Sequence, residues 1–187
     1  MQTKNGLDVF DVEELVTHGG SLRVFAQRAD SGQQPQSSNL KKLIDQERDV
    51  GMNTASYYKG FQARAETVKN DLLKFLLNAK DQGETVAAYG AAAKGNTMLN
   101  FAGVRSDLVK FVVDRNPKKQ GQFMPGSRIP IVDEAHLKAA KPDYVVILPW
   151  NLKDEIVSQL SYVHEFGAHF VTAVPNLLQS WWKLLLR

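Results

Sequence analysis

A short segment near the middle of the chain combines small residues, two glycines and a lysine in a spacing that suits anion binding. It runs Val86-Ala87-Ala88-Tyr89-Gly90-Ala91-Ala92-Ala93-Lys94-Gly95-Asn96-Thr97. An apolar run, a small-residue turn and a helical pattern predict a strand that leads into a helix N-terminus. Such a turn exposes backbone N–H groups at the positive end of the helix dipole, where phosphates bind. The pattern fits equally well a turn that only packs the helix tightly against its strand.

The segment does not match either of the common phosphate-binding glycine motifs. Ala92 stands where the dinucleotide fingerprint needs its second glycine. Gly90 and Gly95 have the Walker A spacing, but Asn96 replaces the lysine that contacts the phosphates. Small side chains still permit close approach of a ligand, and Lys94 or Asn96 is then the group within reach of an anion.

The elements that must position this turn form an alternating pattern from Glu84 onward. Continuous apolar runs predict strands whose two faces are both covered. These predicted strands are 85–89, 108–114, 129–132, 144–148 and 169–174, and helical patterns fit 96–102, 134–140 and 152–166. Alternation of strands and helices predicts an α/β fold, a Rossmann-like parallel sheet with flanking helices, over residues 83–187.

The residues before this domain predict three further segments. Residues 1–29 hold two strand-like runs that form a hairpin, and 30–38 is a polar linker. Residues 39–82 are helical: Ser38 or Asn39 caps a helix to about Val50, and Thr54 or Ser56 begins a longer helix to about Lys80. A hairpin alone is marginal in water, so it is expected to belong to a larger sheet.

Two more loops follow predicted strands and face the same edge of the sheet. Asp114 stands where Rossmann proteins place the acid that binds a ribose, although it also suits a loop-capping carboxylate. Trp150 can stack on a base or cover the sheet edge, and Asn151 is a good helix cap. Lys118 and Lys119 are interpreted as solvated surface residues.

Composition narrows the classes of function. The 187 residues have a net charge of only +3 with mixed signs, which argues against nucleic-acid binding. With no cysteine and no histidine pair at ligand spacing, neither a metal site nor a cysteine nucleophile is expected, and no catalytic constellation stands out. No apolar stretch reaches the roughly 20 residues of a membrane span, so we expect a cytoplasmic protein without membrane contact. Near the end, Trp181 begins a predicted docking helix.

Taken together, these motifs resemble one family. The resemblance is to the C-terminal domain of SAM-dependent C-methyltransferases that act on nucleotide-linked deoxysugars. It covers about residues 40–175 and rests on the blocks 88–96, 113–121, 125–126, 129–131, 143–144 and 147–153. Residues 5–28 resemble the last strands of the central methyltransferase domain of that family. The zinc-binding cysteines, the glycine-rich SAM loop and the Tyr-His-Glu-His-type segment of full-length members do not occur in this sequence.

The resemblance implies a fragment that helps to bind a dTDP-type keto-deoxysugar and is catalytically incomplete alone. SAM then belongs to the full-length family, and no cofactor is expected on this chain. The implied substrate contacts are Tyr89, Gly90, Ala91, Ala92, Lys94, Gly95, Asn96, Asp114, Trp150, Asn151 and Lys153, with His18 facing the cleft. A nucleotide-binding module without catalysis is the alternative, and a nicotinamide-dependent redox domain is disfavoured by the missing glycine. A homodimer through the hairpin or the C-terminal helix is a further expectation.

Overall fold

The computed structural model describes residues 5–17 and 20–180. The chain divides into two compact units, Met1–Gln62 and Ala63–Arg187, and each is described by itself. The predicted contact residue His18 and the predicted C-terminal helix at Trp181 lie outside the described residues. The domain boundaries drawn from the sequence stay predictions.

The first unit contains the predicted hairpin. Strands β1 (Leu7–Leu15) and β2 (Ser21–Arg28) pair antiparallel. Helix α1 (Ser38–Asp49) contacts β1, and its Leu40 is buried, as is Val12 of the strand. The predicted caps Ser38 and Asn39 were wrong by one or two residues: the Ser37 hydroxyl accepts the Leu40 N–H at 3.1 Å. A short 3₁₀-helix (Ala55–Tyr58) follows.

The predicted second helix begins later than expected. Helix α2 spans Phe61–Asp81 rather than starting at Thr54 or Ser56. The chain is extended at Lys59, and Gly60 has a φ of +80°, so no continuous helix can pass this point. Beyond it, apolar residues at steps of three and four along α2 are buried from Leu72 to Ala79, whereas Phe61 at the start of the helix is exposed.

The second unit is the predicted Rossmann-like α/β fold. Its six strands lie in the order β5-β4-β3-β6-β7-β8, all parallel except β8. They are β3 (Val86–Tyr89), β4 (Val112–Val113), β5 (Ile131–Val132), β6 (Tyr144–Ile147), β7 (His169–Thr172) and β8 (Leu178–Ser180). The sequence did not predict β8, and the strand predicted over 108–114 is only two residues long.

Helices cover both faces of this sheet because alternate strand residues point to opposite sides. On one face, α2 and α3 (Ala93–Phe101) pack against Ala88 and Val146. On the other, α4 (Glu134–Ala140) and α5 (Lys153–Gln159) pack against Ala87 and Val145. The helix predicted over 152–166 is broken into 3₁₀-helices at Trp150–Leu152 and Ser161–Phe166, with α5 between them. Within the described ranges, no helix is both long and apolar enough to cross a bilayer.

Candidate functional site

The predicted residues gather at the carboxyl ends of β3, β4 and β6. From β3 the chain moves outward to β4 and β5 on one side, and it then continues through β6 on the other side. The strand order therefore reverses between β3 and β6, which pair directly. In open parallel sheets, ligands bind at such a switch point, outside the carboxyl ends of the strands. The first turn of α3 reaches this point from one face of the sheet.

That first turn presents backbone amides that lack partners. Its cap residue is Ala92, whose side chain makes no capping hydrogen bond. Among the described residues, nothing accepts a hydrogen bond from the N–H groups of Ala93, Lys94 and Gly95. Because the helix dipole adds partial positive charge here, the turn has the electrostatics and the donors of an anion site.

The Lys94 side chain extends from the same turn to the segment after β6. Its Nζ donates a hydrogen bond to Asn151 Oδ1 at 3.1 Å and lies 5.8 Å from the centre of the Trp150 ring. Asn151 and Trp150 follow β6, so this contact joins the two sides of the switch point. No described carboxylate contacts the ammonium, so its charge is available to an anion.

Both glycines of the turn are required by close packing. Gly90 has a φ of +93°, and a Cβ there would lie 2.5 Å from Pro149 Cδ. A Cβ on Gly95 would lie 2.5 Å from Leu148 Cβ. The sequence left a packing role and a ligand role open for these glycines. The packing role is present in the structure, and a direct ligand contact stays a prediction.

Asp114 organises the loops around the turn. Its Oδ2 accepts the Ala91 N–H at 2.8 Å, and its Oδ1 accepts the Asn116 N–H at 2.9 Å. Lys119 Nζ donates to the same Oδ2 at 3.1 Å and to the Ala91 carbonyl at 2.7 Å. Gln120 Nε2 donates to the Asp114 carbonyl at 2.9 Å. The carboxylate therefore fixes the turn after β3, as the loop-capping interpretation expects, and a ribose contact stays a prediction.

The solvated role predicted for Lys119 is wrong. Its side chain is 40% exposed, and its ammonium bridges Asp114 and Ala91 as described. Sequence reasoning could not detect this, because the reach of a lysine onto a neighbouring loop depends on how the loops pack. Lys118 is exposed, in agreement with the prediction.

Other predicted residues lie near the turn but have partners of their own. Asn96 Oδ1 accepts from Asn100 Nδ2 at 3.2 Å, one turn further along α3. Lys153 begins α5, and its Nζ lies 3.4 Å from Asp154 Oδ1. Lys94, Trp150, Asn151 and the amides of α3 are thus the predicted residues that converge, and a ligand contact from any of them stays a prediction.

A polar bridge that the sequence did not predict lies beside this edge. Arg115 Nη1 donates to Gln159 Oε1 at 3.0 Å, and Gln159 Nε2 donates to Glu155 Oε1 at 2.7 Å. The bridge joins the loop after β4 to α5. Arg115 directly follows Asp114 at a strand end, which is the one signal in the sequence that could have marked it.

One negative finding applies to the described residues alone. No group of three or more histidine, aspartate or glutamate side chains there could hold a metal ion. A cleft of about 520 Å³ lies at the opposite end of the sheet, where Asn78, Glu84 and Tyr144 contribute to its lining. The anion-binding features described above are therefore separate from this cleft.

Known proteins resemble this chain in sequence. A family model described as the C-methyltransferase C-terminal domain matches residues 16–175. The chain belongs to this family. The C-methyltransferase NovU of Streptomyces niveus is 33% identical to this C-methyltransferase C-terminal domain over 172 residues, which is 92% of the chain. The match spans 41% of the length of NovU.

A solved structure also resembles this C-methyltransferase C-terminal domain. It is the UDP-D-quinovosamine 4-dehydrogenase of Vibrio fischeri, with a TM-score of 0.38 and 18% sequence identity. The alignment covers 56% of this chain and 98% of the other chain. A likeness of this strength says nothing about function.

Proposed function

We propose that this domain binds the diphosphate of a nucleotide-linked keto-deoxysugar, of the dTDP type, at the first turn of α3. The observation that carries the proposal is the convergence of three unpartnered amides with the Lys94 ammonium at the switch point. Amides at a helix N-terminus and a lysine point charge are the usual protein partners of phosphate oxygens. The family membership supports a substrate of a C-methyltransferase.

The proposed role in methyl transfer is remote positioning. In a SAM-dependent C-methyltransferase, a base removes the proton next to the ketone of the sugar, and the resulting enolate attacks the methyl group that SAM supplies. Holding the diphosphate places the reacting carbon without touching it, and binding energy used in this way lowers the barrier to reaction. The residues of this chain hold the substrate, and the reacting groups belong to another part of the enzyme.

We infer that SAM is bound elsewhere, because the described residues do not fit it. A SAM site of Rossmann type needs an acid at the end of the second strand that is free to bind the ribose hydroxyls. Here both oxygens of Asp114 accept backbone hydrogen bonds, one from Ala91 in the turn after β3 and one from Asn116 in its own loop. The glycines after β3 pack closely against Pro149 and Leu148.

Calorimetric titration of the full chain tests the proposal directly. The ligands are pyrophosphate, UDP, dTDP, SAM and NAD, each at low and at physiological salt. We expect pyrophosphate and both nucleoside diphosphates to bind, with affinities that fall as salt screens the ammonium. Neither SAM nor NAD is expected to bind. Binding of SAM, or no binding of pyrophosphate and both nucleotides, would contradict the proposal.

We also infer that the hairpin of the first unit associates with another β-strand, and that a second copy of the chain can provide it. Strand β2 is exposed along nearly all of its length, with Leu22, Val24 and Phe25 partly in solvent. An exposed edge with apolar side chains favours strand addition. Light scattering of the wild type and of Val24→Lys tests this, since the variant is expected to shift dimers to monomers. A wild type that is monomeric at every concentration rules out self-association.

A further inference from the structure

The Tyr89 hydroxyl is a buried donor that has nothing to bind. Tyr89 is the last residue of β3, and its side chain is only 5% exposed. No described residue gives its hydroxyl a hydrogen-bond partner. Burial raises the pKa of the phenol, so it is present as a donor at neutral pH. Buried polar groups are nearly always paired, and an unpaired one at a strand end calls for an explanation.

The groups around this hydroxyl come from several elements. Arg115 from the loop after β4, Glu134 from α4 and Glu155 from α5 all act electrostatically on Tyr89. The Tyr162 hydroxyl lies beside Glu134, and it too is buried without a well-formed hydrogen bond in the described part of the chain. Two buried hydroxyls therefore share one polar region on the face of the sheet that α4 and α5 cover.

The charge around Tyr89 selects the kind of group that fits. The carboxylates of Asp114, Glu134 and Glu155 act on it together with the Arg115 guanidinium. Lys119 pairs with Asp114 and Lys138 pairs with Glu134, so the charges of this region largely balance and leave no net positive charge for a phosphate. A neutral ring with carbonyl or hydroxyl acceptors suits it, because the phenols donate to such acceptors and the carboxylates accept from ring N–H or O–H groups.

The Arg115–Gln159–Glu155 bridge joins two of the charged groups that act on Tyr89. The three side chains are exposed, and their hydrogen bonds join two separate elements. Exposed polar contacts contribute little to stability, so the bridge can open at small cost. Tyr89 ends β3 at the switch point, and the turn proposed to bind the diphosphate follows it directly in the chain.

We propose that the Tyr89 and Tyr162 hydroxyls form a subsite for a neutral ring of the nucleotide-sugar, either its base or its sugar, next to the diphosphate. This rests on the function proposed above. The unpaired hydroxyl of Tyr89 is then a donor kept for the ligand, which costs stability in the free protein and is recovered on binding.

The variant Tyr89→Phe tests the subsite by calorimetry and thermal unfolding. The ligands are pyrophosphate, UDP, dTDP and glucose 1-phosphate. We expect the affinity for at least one ring-bearing ligand to fall about tenfold, the scale of one lost hydrogen bond. The affinity for pyrophosphate is expected to stay unchanged. If the affinity falls for UDP and dTDP alone, the subsite binds the nucleoside. If the affinity falls for glucose 1-phosphate alone, the subsite binds the sugar.

Thermal unfolding of the free protein separates this subsite from a structural role. Removing an unpaired hydroxyl is expected to leave the melting temperature of Tyr89→Phe unchanged or to raise it by about 2 °C. Tyr162→Phe provides a second variant with the same expected affinity pattern. Tyr144→Phe is the matched control, because its hydroxyl faces Glu84 at the other end of the sheet, 3.4 Å from Oε1. The control is expected to leave every affinity unchanged.

Two results would overturn the subsite. If the wild type binds the nucleotides and both Tyr89→Phe and Tyr162→Phe bind every ligand as it does, the subsite is wrong and the proposed function stands. A fall of several degrees in melting temperature with unchanged affinities would assign Tyr89 to a buried structural water. If the wild type binds neither pyrophosphate nor any nucleotide, the proposed function fails, and the subsite fails with it.

Discussion

Lys94 Nζ and Asn151 Oδ1 lie 3.1 Å apart and join the two halves of the sheet at its switch point. Lys94 belongs to the first turn of α3, which follows β3, and Asn151 follows β6. Asn151 accepts this hydrogen bond as a neutral amide. The contact therefore orients the ammonium without cancelling its charge.

Replacing Lys94 by alanine should weaken diphosphate binding while the fold is kept. Hydrogen bonds to charged groups contribute about 1.5–3 kcal/mol, so we expect a loss of roughly 10–100-fold in affinity for pyrophosphate and UDP. Lys110→Ala is the matched control, because this exposed lysine lies at the amino end of β4, where its N–H bonds to the Val86 carbonyl. Equal affinities of the two variants in calorimetry would remove Lys94 from the site.

Asp114→Ala should lower the free energy of unfolding because the carboxylate holds three donors in place. The Ala91 and Asn116 amides and the Lys119 ammonium lose their acceptor together. Because the Asp114 side chain is only 12% exposed, we expect the free energy of unfolding, measured in urea, to fall by about 2–3 kcal/mol. Asp107→Ala, an exposed aspartate paired with Lys80, should change the stability little. If Asp114→Ala lowers the stability no more than Asp107→Ala does, the hydrogen bonds to the Asp114 carboxylate do not stabilise the fold.

Gly90→Ala should destabilise the domain more than glycine-to-alanine substitution elsewhere. Gly103 also has a positive φ, +68°, but a Cβ there meets nothing within 4 Å. Gly103→Ala therefore adds backbone strain alone, whereas Gly90→Ala adds strain and overlap with Pro149. We expect a further loss of about 1–3 kcal/mol at Gly90, measured by chemical unfolding. Similar losses at both positions would mean that Pro149 moves aside easily.

The core of the second unit could be predicted from its sequence because its signals are local. Continuous apolar runs such as Val145-Val146-Ile147 give the strands, and the stripe through Leu72 and Leu76 gives α2. The break at Gly60 and the short 3₁₀ segments around α5 were missed, since apolar spacing does not report backbone turns. Strand β8 was missed because its pairing with β7 is set by tertiary contacts.

The candidate site was predictable in its location and less so in its partners. The end of a predicted strand and the small residues after it indicated the turn after β3. Because ligands bind where the strand order reverses, the loop with Trp150 and Asn151 was expected at the same edge of the sheet. The contacts of Lys119 and Arg115 depend on how neighbouring loops pack. The burial of the Tyr89 hydroxyl without a partner is likewise a property of the packed structure.

Acid should weaken the link between the amino ends of β3 and β6. Hydrogen bonds from Thr85, above all from its backbone N–H, hold the pKa of Asp143 below its usual value, against the opposing effect of burial. A carboxyl whose pKa is lowered by folding stabilises the fold above its unfolded pKa of about 4, and this contribution is lost as the pH falls through the lower folded value.

Urea unfolding at pH 7 and at pH 3 measures this effect. The wild type should lose more stability on acidification than Asp143→Asn, whose amide does not titrate. Because Asp143 is exposed, the difference is expected to be modest. Parallel losses in the two proteins would show that the Thr85 contact does not favour the ionised form.

The most direct test of the anion site is a titration of the ¹⁵N-labelled chain with UDP, followed by the backbone amide resonances. We predict that the amides of Ala93, Lys94 and Gly95 shift first and furthest, together with the indole N–H of Trp150. Shifts confined to the cleft at the other end of the sheet, around Asn78 and Glu84, would contradict the account, as would a spectrum that does not change.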